Sequence, residues 1–265
     1  MSSIRIDAEM VIRGLANSRE RAKEYIQKGY VYVNDTVIKK PSALVSETDE
    51  IKVIGDMLKY VGRGGLKMES AVKEFSLTLD DMICVDIGAS TGGFTDCMLQ
   101  NGAKKVYAID VGHNQLAQKL LEDKRVVNIE GMNVKDITSD TVSDHIDLVC
   151  ADLSFISCRY AIDASKILLS DDGVAVILIK PQFEAGKSNI SKGGIVKDKK
   201  AHLGVLNDIC SYAISCGFSI NKLISSPIKG GDGNIEYLVM LVKDNGFTHS
   251  YIDYKAIVDS AFAKK

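Results

Sequence analysis

After residue 80 the chain settles into a repeated alternation. Short apolar runs occur at Ile83–Ile87, Lys105–Ile109, Val126–Ile129, Ile146–Ala151, Val174–Ile179, Ile220–Ile224 and Glu236–Val242, with helical stretches between most of them. Brief apolar runs bounded by polar turns read as strands buried on both faces, and strands joined through helices run parallel. The pattern predicts an α/β domain built on a Rossmann-like sheet. Its last two runs are joined by Ser225–Ile235, too short for a crossover helix, so they pair antiparallel and make the sheet mixed. Open sheets of this kind bind ligands beyond the carboxyl ends of their strands. Residues that follow each run are therefore the first candidates for function.

The first sixty residues have a different rhythm. Asn17 starts a helix with Glu20 three residues later, as in a capping box, and Ala22, Tyr25 and Ile26 form its buried face. Gly29 ends it. Val31–Val33, an Asn34-Asp35 turn and Thr36–Ile38 read as a hairpin, and Asp49–Ile54 supplies another strand. This predicts a small α+β domain over 1–54, a glycine-rich linker over 55–62 and the large domain over 63–265.

Composition narrows the class. With 46% hydrophobic residues the chain can bury a core. The net charge of −2 does not announce a nucleic-acid protein, yet residues 1–40 carry eight Lys/Arg against five Asp/Glu. The six cysteines lack CxxC spacing and most sit in apolar runs, which reads as buried thiols in a cytoplasmic protein with no metal site. The N-terminus lacks the apolar core of a signal peptide, and no run approaches the roughly 20 apolar residues that span a bilayer. No membrane partner is expected.

The first strand runs into Asp86-Ile87-Gly88-Ala89-Ser90-Thr91-Gly92-Gly93-Phe94. Glycines at a strand-to-helix turn admit a ligand close to the backbone. A dinucleotide turn wants glycine where Ser90 stands, and a carboxylate such as Asp86 would repel a pyrophosphate. Beside a sulfonium or an amino group it is attractive, so the turn suits S-adenosylmethionine, with Asp86, Gly88, Ala89, Ser90, Gly92, Gly93 and Phe94 as the binding set. Asp110, ending the second strand, is placed to accept hydrogen bonds from ribose hydroxyls. Asp152 follows the fourth strand, Lys180 the fifth and Glu236 opens the last, while Lys67 lies in Arg63-Gly64-Gly65-Leu66-Lys67 ahead of the sheet. Taken singly each is more often a structural ion pair; two lysines and two acids converging on one sheet edge point to chemistry.

Residues 63–67, 85–97, 152–157, 178–184 and 230–238 resemble the TlyA family of rRNA 2′-O-methyltransferases, named for hemolysin and built on an FtsJ-type catalytic domain. The segment from Arg5 to Val53, with Leu15 to Ala22 and Lys28 to Asn34 as its telling pieces, resembles the small RNA-binding fold of ribosomal small-subunit protein four. Together they cover nearly the whole chain. The resemblance implies a Lys-Asp-Lys-Glu tetrad, matched in order by Lys67, Asp152, Lys180 and Glu236. It also implies S-adenosylmethionine as cofactor and ribosomal RNA or ribosomal subunits as partner, with a cytidine of 16S or 23S rRNA as target. A ribose hydroxyl must lose its proton near the transition state, and a lysine accepts it only in its neutral form; desolvation and a neighbouring cation favour that form, while Asp152 and Glu236 oppose it. Lys180 is expected to be the base, with Lys67 and Glu236 holding the ribose and Asp152 between cofactor and substrate. Arg5, Arg19, Arg21, Lys23, Lys28, Arg63, Lys187 and Lys192 are the candidate RNA contacts. The loop 186–200, rich in glycine, serine and lysine, reads equally as a solvated loop or as an RNA-contacting lid. The rival readings are a methyltransferase acting on another RNA or a small molecule, and a membrane-active hemolysin, for which no spanning or unusually amphipathic stretch is present.

Overall fold

The computed structural model describes residues 3–16, 18–53, 59–243 and 251–263. The chain forms two compact units, Met1–Lys59 and Tyr60–Lys265.

The smaller unit orders β1 (Ile4–Arg5), α1 (Ile6–Ile12), α2 (Arg19–Gln27), β2 (Val31–Val33), β3 (Thr36–Ile38), β4 (Leu44–Val45) and β5 (Ile51–Val53). β1 pairs with β4, and β3-β2-β5 form an antiparallel sheet. The cap of α2 is Ser18, whose hydroxyl accepts from the Arg21 N–H; the expected cap, Asn17, lies outside the described residues. Gly29 takes φ +75° just past the helix, the left-handed conformation a helix stop requires. Asn34 and Asp35, at φ +47° and +63°, make the two-residue turn whose twist suits a hairpin. Ile6, Met10, Ala22, Ile26 and Val31 are fully buried and form the core with Val45 and Ile51. Each large aliphatic side chain there contributes about 1.5–3 kcal/mol.

The larger unit runs α3 (Gly64–Phe75), β6 (Ile83–Ile87), α4 (Gly93–Gln100), β7 (Lys105–Asp110), α5 (Gln118–Leu121), β8 (Val126–Glu130), β9 (Ile146–Ala151), α6 (Arg159–Leu168), β10 (Leu169–Ile179), α7 (Pro181–Glu184), α8 (Lys199–Ser215), β11 (Phe218–Ser225), β12 (Tyr237–Lys243) and α9 (Tyr254–Ala263). Its sheet has the order β11-β12-β10-β9-β6-β7-β8. β12 is antiparallel to both neighbours, and the remaining pairs are parallel. The mixed α/β sheet expected from the sequence is present. β10 begins five residues earlier than its apolar run, directly after α6: Leu169 pairs with Ile146, the register shifts before Val174 pairs with Leu148, and a Cβ on Gly173 within the shifted stretch would lie 2.8 Å from the Ile146 carbonyl oxygen. Strand parity sorts side chains into two cores. Val85, Ile87, Val149, Ala151, Ile177, Ile179 and Tyr237 face one layer; Cys84, Cys150, Leu178 and Leu238 face the layer formed by α3 and α4. All six cysteines are free thiols, five of them buried. Among the described residues no helix is long and apolar enough to cross a membrane.

Candidate active site

Strand parity also assembles the site. Asp152, Lys180 and Glu236 stand two residues from Cys150, Leu178 and Leu238, so all three share the parity of the α3 face. The β10–β12 register pairs Ile179 with Tyr237 and Leu178 with Leu238, which brings Lys180 opposite Glu236. Helix α3 completes the group. Gly93 allows its approach, since a Cβ there would stand 2.9 Å from the Gly65 nitrogen. Lys67 Nζ lies 2.7 Å from Glu236 Oε2 and 3.3 Å from Asp152 Oδ2. Lys180 Nζ lies 2.5 Å from Asp152 Oδ1, an ion pair outside hydrogen-bonding angles, and donates to Ser154 Oγ at 2.8 Å. Lys67, Lys180 and Glu236 are at least nine-tenths buried. The result is a charge-balanced group of two ammoniums and two carboxylates, with Asp152 as the bridge between the lysines. Burying a lone charge would cost several kcal/mol, and the pairing offsets it.

Asp152 also lines the neighbouring cavity. This cavity of about 520 Å³ lies beyond the carboxyl ends of β6, β7 and β9, within the roughly 300–1,000 Å³ of small-molecule sites. Gly88, Ser90, Asp110, Met132, Asn133 and Leu153 are among its walls. Gly88 has φ +83°, and a Cβ on it would meet the Asp152 carbonyl oxygen at 2.7 Å, so only glycine closes the turn. Asp110 accepts from the Ser90 N–H at 2.8 Å and the Gly112 N–H at 2.7 Å. Each carboxylate oxygen retains a lone pair for a further donor. A cradle that only glycine can form, a carboxylate fixed at the rim and apolar walls from Ile109, Val111, Met132 and Val134 together suit a nucleoside with a charged tail. S-adenosylmethionine has that chemistry.

Several expected cofactor residues do other work. Asp86 is fully buried away from the cavity. Its Oδ2 accepts from the Thr95 N–H at 2.9 Å and the Thr95 hydroxyl at 2.7 Å, and Cys150 Sγ lies 3.8 Å from Oδ1. Burial pushes its carboxyl up to about 7. The charge argument that placed Asp86 beside a sulfonium therefore fails: its parity with Cys84 points it beneath α4, where it holds the start of that helix. Ala89, Gly92, Gly93 and Phe94 also lie outside the cavity lining. A Cβ on Gly92 would strike Leu120, and Phe94 packs beside Gly64, so this half of the turn serves helix packing.

The expected RNA contacts are distributed over both units. In the smaller unit the fully buried Asp7 carboxylate holds Arg5 at 2.9 Å and Arg19 at 3.1 Å, both half-exposed. Arg21 pairs with Glu24 and lies over Tyr25, Lys23 pairs with Glu20, and Lys28 with Glu24. In the larger unit Arg63 donates to the Lys229 carbonyl, while Lys187 and Lys192 are exposed on the loop after α7. Sequence reasoning passed over Phe155. It is 91% exposed, has φ +65° and lies 5.2 Å from the Phe183 ring centroid. Positive φ on a bulky residue is costly and marks a functional loop. An aromatic two residues beyond a strand-end acid was the available signal.

Known proteins share this architecture. Residues 60–243 match the FtsJ-like methyltransferase family, and residues 4–51 match the S4 domain. The 16S/23S rRNA (cytidine-2′-O)-methyltransferase TlyA of Mycobacterium tuberculosis is 40% identical over 89% of this chain and 89% of its own length. Hemolysin A of Brachyspira hyodysenteriae is 45% identical over 90% of this chain and 100% of its own. A solved structure of a hemolysin-named protein from Streptococcus thermophilus is 42% identical, covers 100% of this chain and 97% of that one, and superposes with a TM-score of 0.80.

Proposed function

The chain belongs to the FtsJ-like methyltransferase family, with an S4 domain ahead of its methyltransferase unit, and from that premise we propose that it methylates a ribose 2′-hydroxyl of ribosomal RNA, on a cytidine. The observation that carries the reading is the buried Lys67–Asp152–Lys180–Glu236 group beside a nucleoside-sized cavity. S-adenosylmethionine, once bound in that cavity, would supply an electrophilic methyl carbon. Gly88 would give it room, Asp110 would accept from its ribose hydroxyls, and Asn133 and the apolar walls would line the rest of its site. Asp152 stands between this cavity and the two lysines. Lys180 takes the hydroxyl proton as the ribose oxygen attacks, while Lys67 and Glu236 hold the ribose. Base work requires the neutral amine of Lys180, a form that an arginine in its place does not reach. Alignment of hydroxyl and methyl carries much of the acceleration. On the RNA side, Phe155 offers an exposed ring on which an unpaired base stacks.

Single-turnover methylation of ribosomal subunits tests the base. Lys180→Ala and Lys180→Arg should each lose about 10²–10⁴-fold in rate while cofactor still binds, since arginine keeps the charge but does not give up a proton. A substantially active Lys180→Arg enzyme would falsify the assignment of Lys180 as base.

A further inference from the structure

The loop between α7 and α8 carries Lys187, Lys192 and Lys197 at its exposed surface, yet its far end is fastened. Val196 is buried. Its N–H donates to Asn234 Oδ1 at 3.1 Å, and the Asn234 amide Nδ2 donates to the Gly194 carbonyl at 3.0 Å. The Val196 carbonyl lies 3.0 Å from His202 Nε2, and His202 Nδ1 lies 2.9 Å from the Tyr237 hydroxyl. A carbonyl only accepts, so Nε2 carries the hydrogen and Nδ1 accepts from Tyr237. Asn234 and His202 are both fully buried, and the identities of their partners set the amide and tautomer orientations.

The other end of this clamp is the tetrad. Asn234 stands two residues before Glu236, and its own carbonyl accepts from the Gly230 N–H at 2.9 Å, closing the turn ahead of β12. A Cβ on Gly230 would lie 2.5 Å from Glu236 Oε1, so the turn and the Glu236 carboxylate are packed together. Tyr237, which His202 contacts, follows Glu236 directly. One buried amide and one buried imidazole thus join the lysine-bearing loop to the residues on either side of Glu236.

We infer that Asn234 is a positioning residue that locks this loop onto the head of β12, so that an RNA phosphodiester strand held by Lys187 and Lys192 is delivered in register with Glu236 and Lys67. The inference rests on the reading of the site as an RNA 2′-O-methyltransferase. Buried donors and acceptors with a single protein partner cannot be replaced by solvent without reopening the loop. Asn234→Ala removes both bonds, whereas Asn234→Asp keeps the acceptor for Val196 and loses the donor for Gly194.

The test combines trypsin cleavage after Lys192 and Lys197 with steady-state methylation of ribosomal subunits and calorimetric binding of S-adenosylmethionine. Asn234→Ala should be cut about tenfold faster and its KM for rRNA should rise about tenfold, with kcat and cofactor affinity changed less than about threefold. Asn234→Asp should be cut at least as fast as Asn234→Ala, because its second carboxylate oxygen would face the Gly194 carbonyl in a buried site. In the wild type, substrate RNA should slow cleavage at the same lysines, an arm that stands even where Asn234→Ala fails to fold. Faster cutting with an unchanged KM, unchanged cutting, or no protection by RNA overturns the inference. If the wild type transfers no methyl to rRNA, the function reading fails and delivery with it, while the cleavage rates still report whether Asn234 holds the loop.

Discussion

Asp86 shows how one position on a strand decides what a carboxylate does. Asp110 closes its strand and Asp152 and Lys180 directly follow theirs, where side chains reach the ligand edge, and their placing was legible from where each apolar run stops. Asp86 lies inside its run, one residue short of that edge, and parity turns it towards Thr95 and Cys150 in the core. Its folded carboxyl stands at about 7 against about 4 in the unfolded chain. Between those values the folded state holds a proton that the unfolded state has released, so stability falls as pH rises through about 4 to 7. The difference, about three pH units, corresponds to an order of 4 kcal/mol at neutral pH. Asp86→Asn keeps an acceptor for Thr95 and removes the titration. Denaturant unfolding at pH 4.5, 6 and 7.5 should show the wild type losing stability relative to Asp86→Asn; parallel curves would mean that the carboxyl titrates outside this window. Asp7 carries the opposite shift. The Arg5 guanidinium, then Arg19, holds its carboxyl below the usual range. Asp7→Asn adds a net positive charge, so on charge count alone RNA affinity should rise; if the carboxylate orders the two arginines for phosphates, affinity falls instead, and filter binding to rRNA should show that fall at every salt concentration.

Elements carry information that their residues alone do not. The strands were legible because their apolar runs have little choice of register, while the loop after β9 was not, since nothing in its sequence encodes a left-handed phenylalanine. The structure supplies the restraint: Glu184, at the end of α7, accepts from the Ser157 hydroxyl at 2.8 Å and the Cys158 N–H at 2.7 Å, tying the loop to the element that follows Lys180. Phe155 and Phe183 are thereby presented together beside Lys180, whose ammonium lies 5.9 Å from the Phe183 ring. An exposed Phe155 ring leaning on the half-buried Phe183 at the edge of the charge-balanced tetrad fits an unstacked base. Stacking of one base is worth about 1–3 kcal/mol, so Phe155→Ala should lower kcat/KM for rRNA roughly 5- to 150-fold. S-adenosylmethionine affinity should stay within about twofold, although Phe155 also borders the cavity. Equal losses in RNA turnover and cofactor binding would assign the ring to the cofactor instead.

At the scale of the molecule, the two units divide the charge and the chemistry. Each has its own buried core, Ile6 to Ile51 in one and two layers around the seven-stranded sheet in the other. The tetrad and the nucleoside-sized cavity belong wholly to the larger unit. The excess of lysine and arginine belongs to the first forty residues of a chain whose net charge is −2. A small-molecule methyltransferase has no need of that appendage, and an enzyme on a large RNA does, because phosphate contacts supply most of its affinity. Deleting residues 1–59 should therefore leave S-adenosylmethionine binding within about twofold by calorimetry, since no cavity wall is removed. Methylation of ribosomal subunits at physiological salt should fall below detection. Lowering the salt should restore part of it, as the lysines and arginines of the larger unit then suffice for weak capture. Failure of the truncated protein to bind cofactor while still folded would mean that the first unit helps to build the cavity. Undiminished methylation at physiological salt would move RNA recognition to the larger unit, with the loop after α7 as its principal contact.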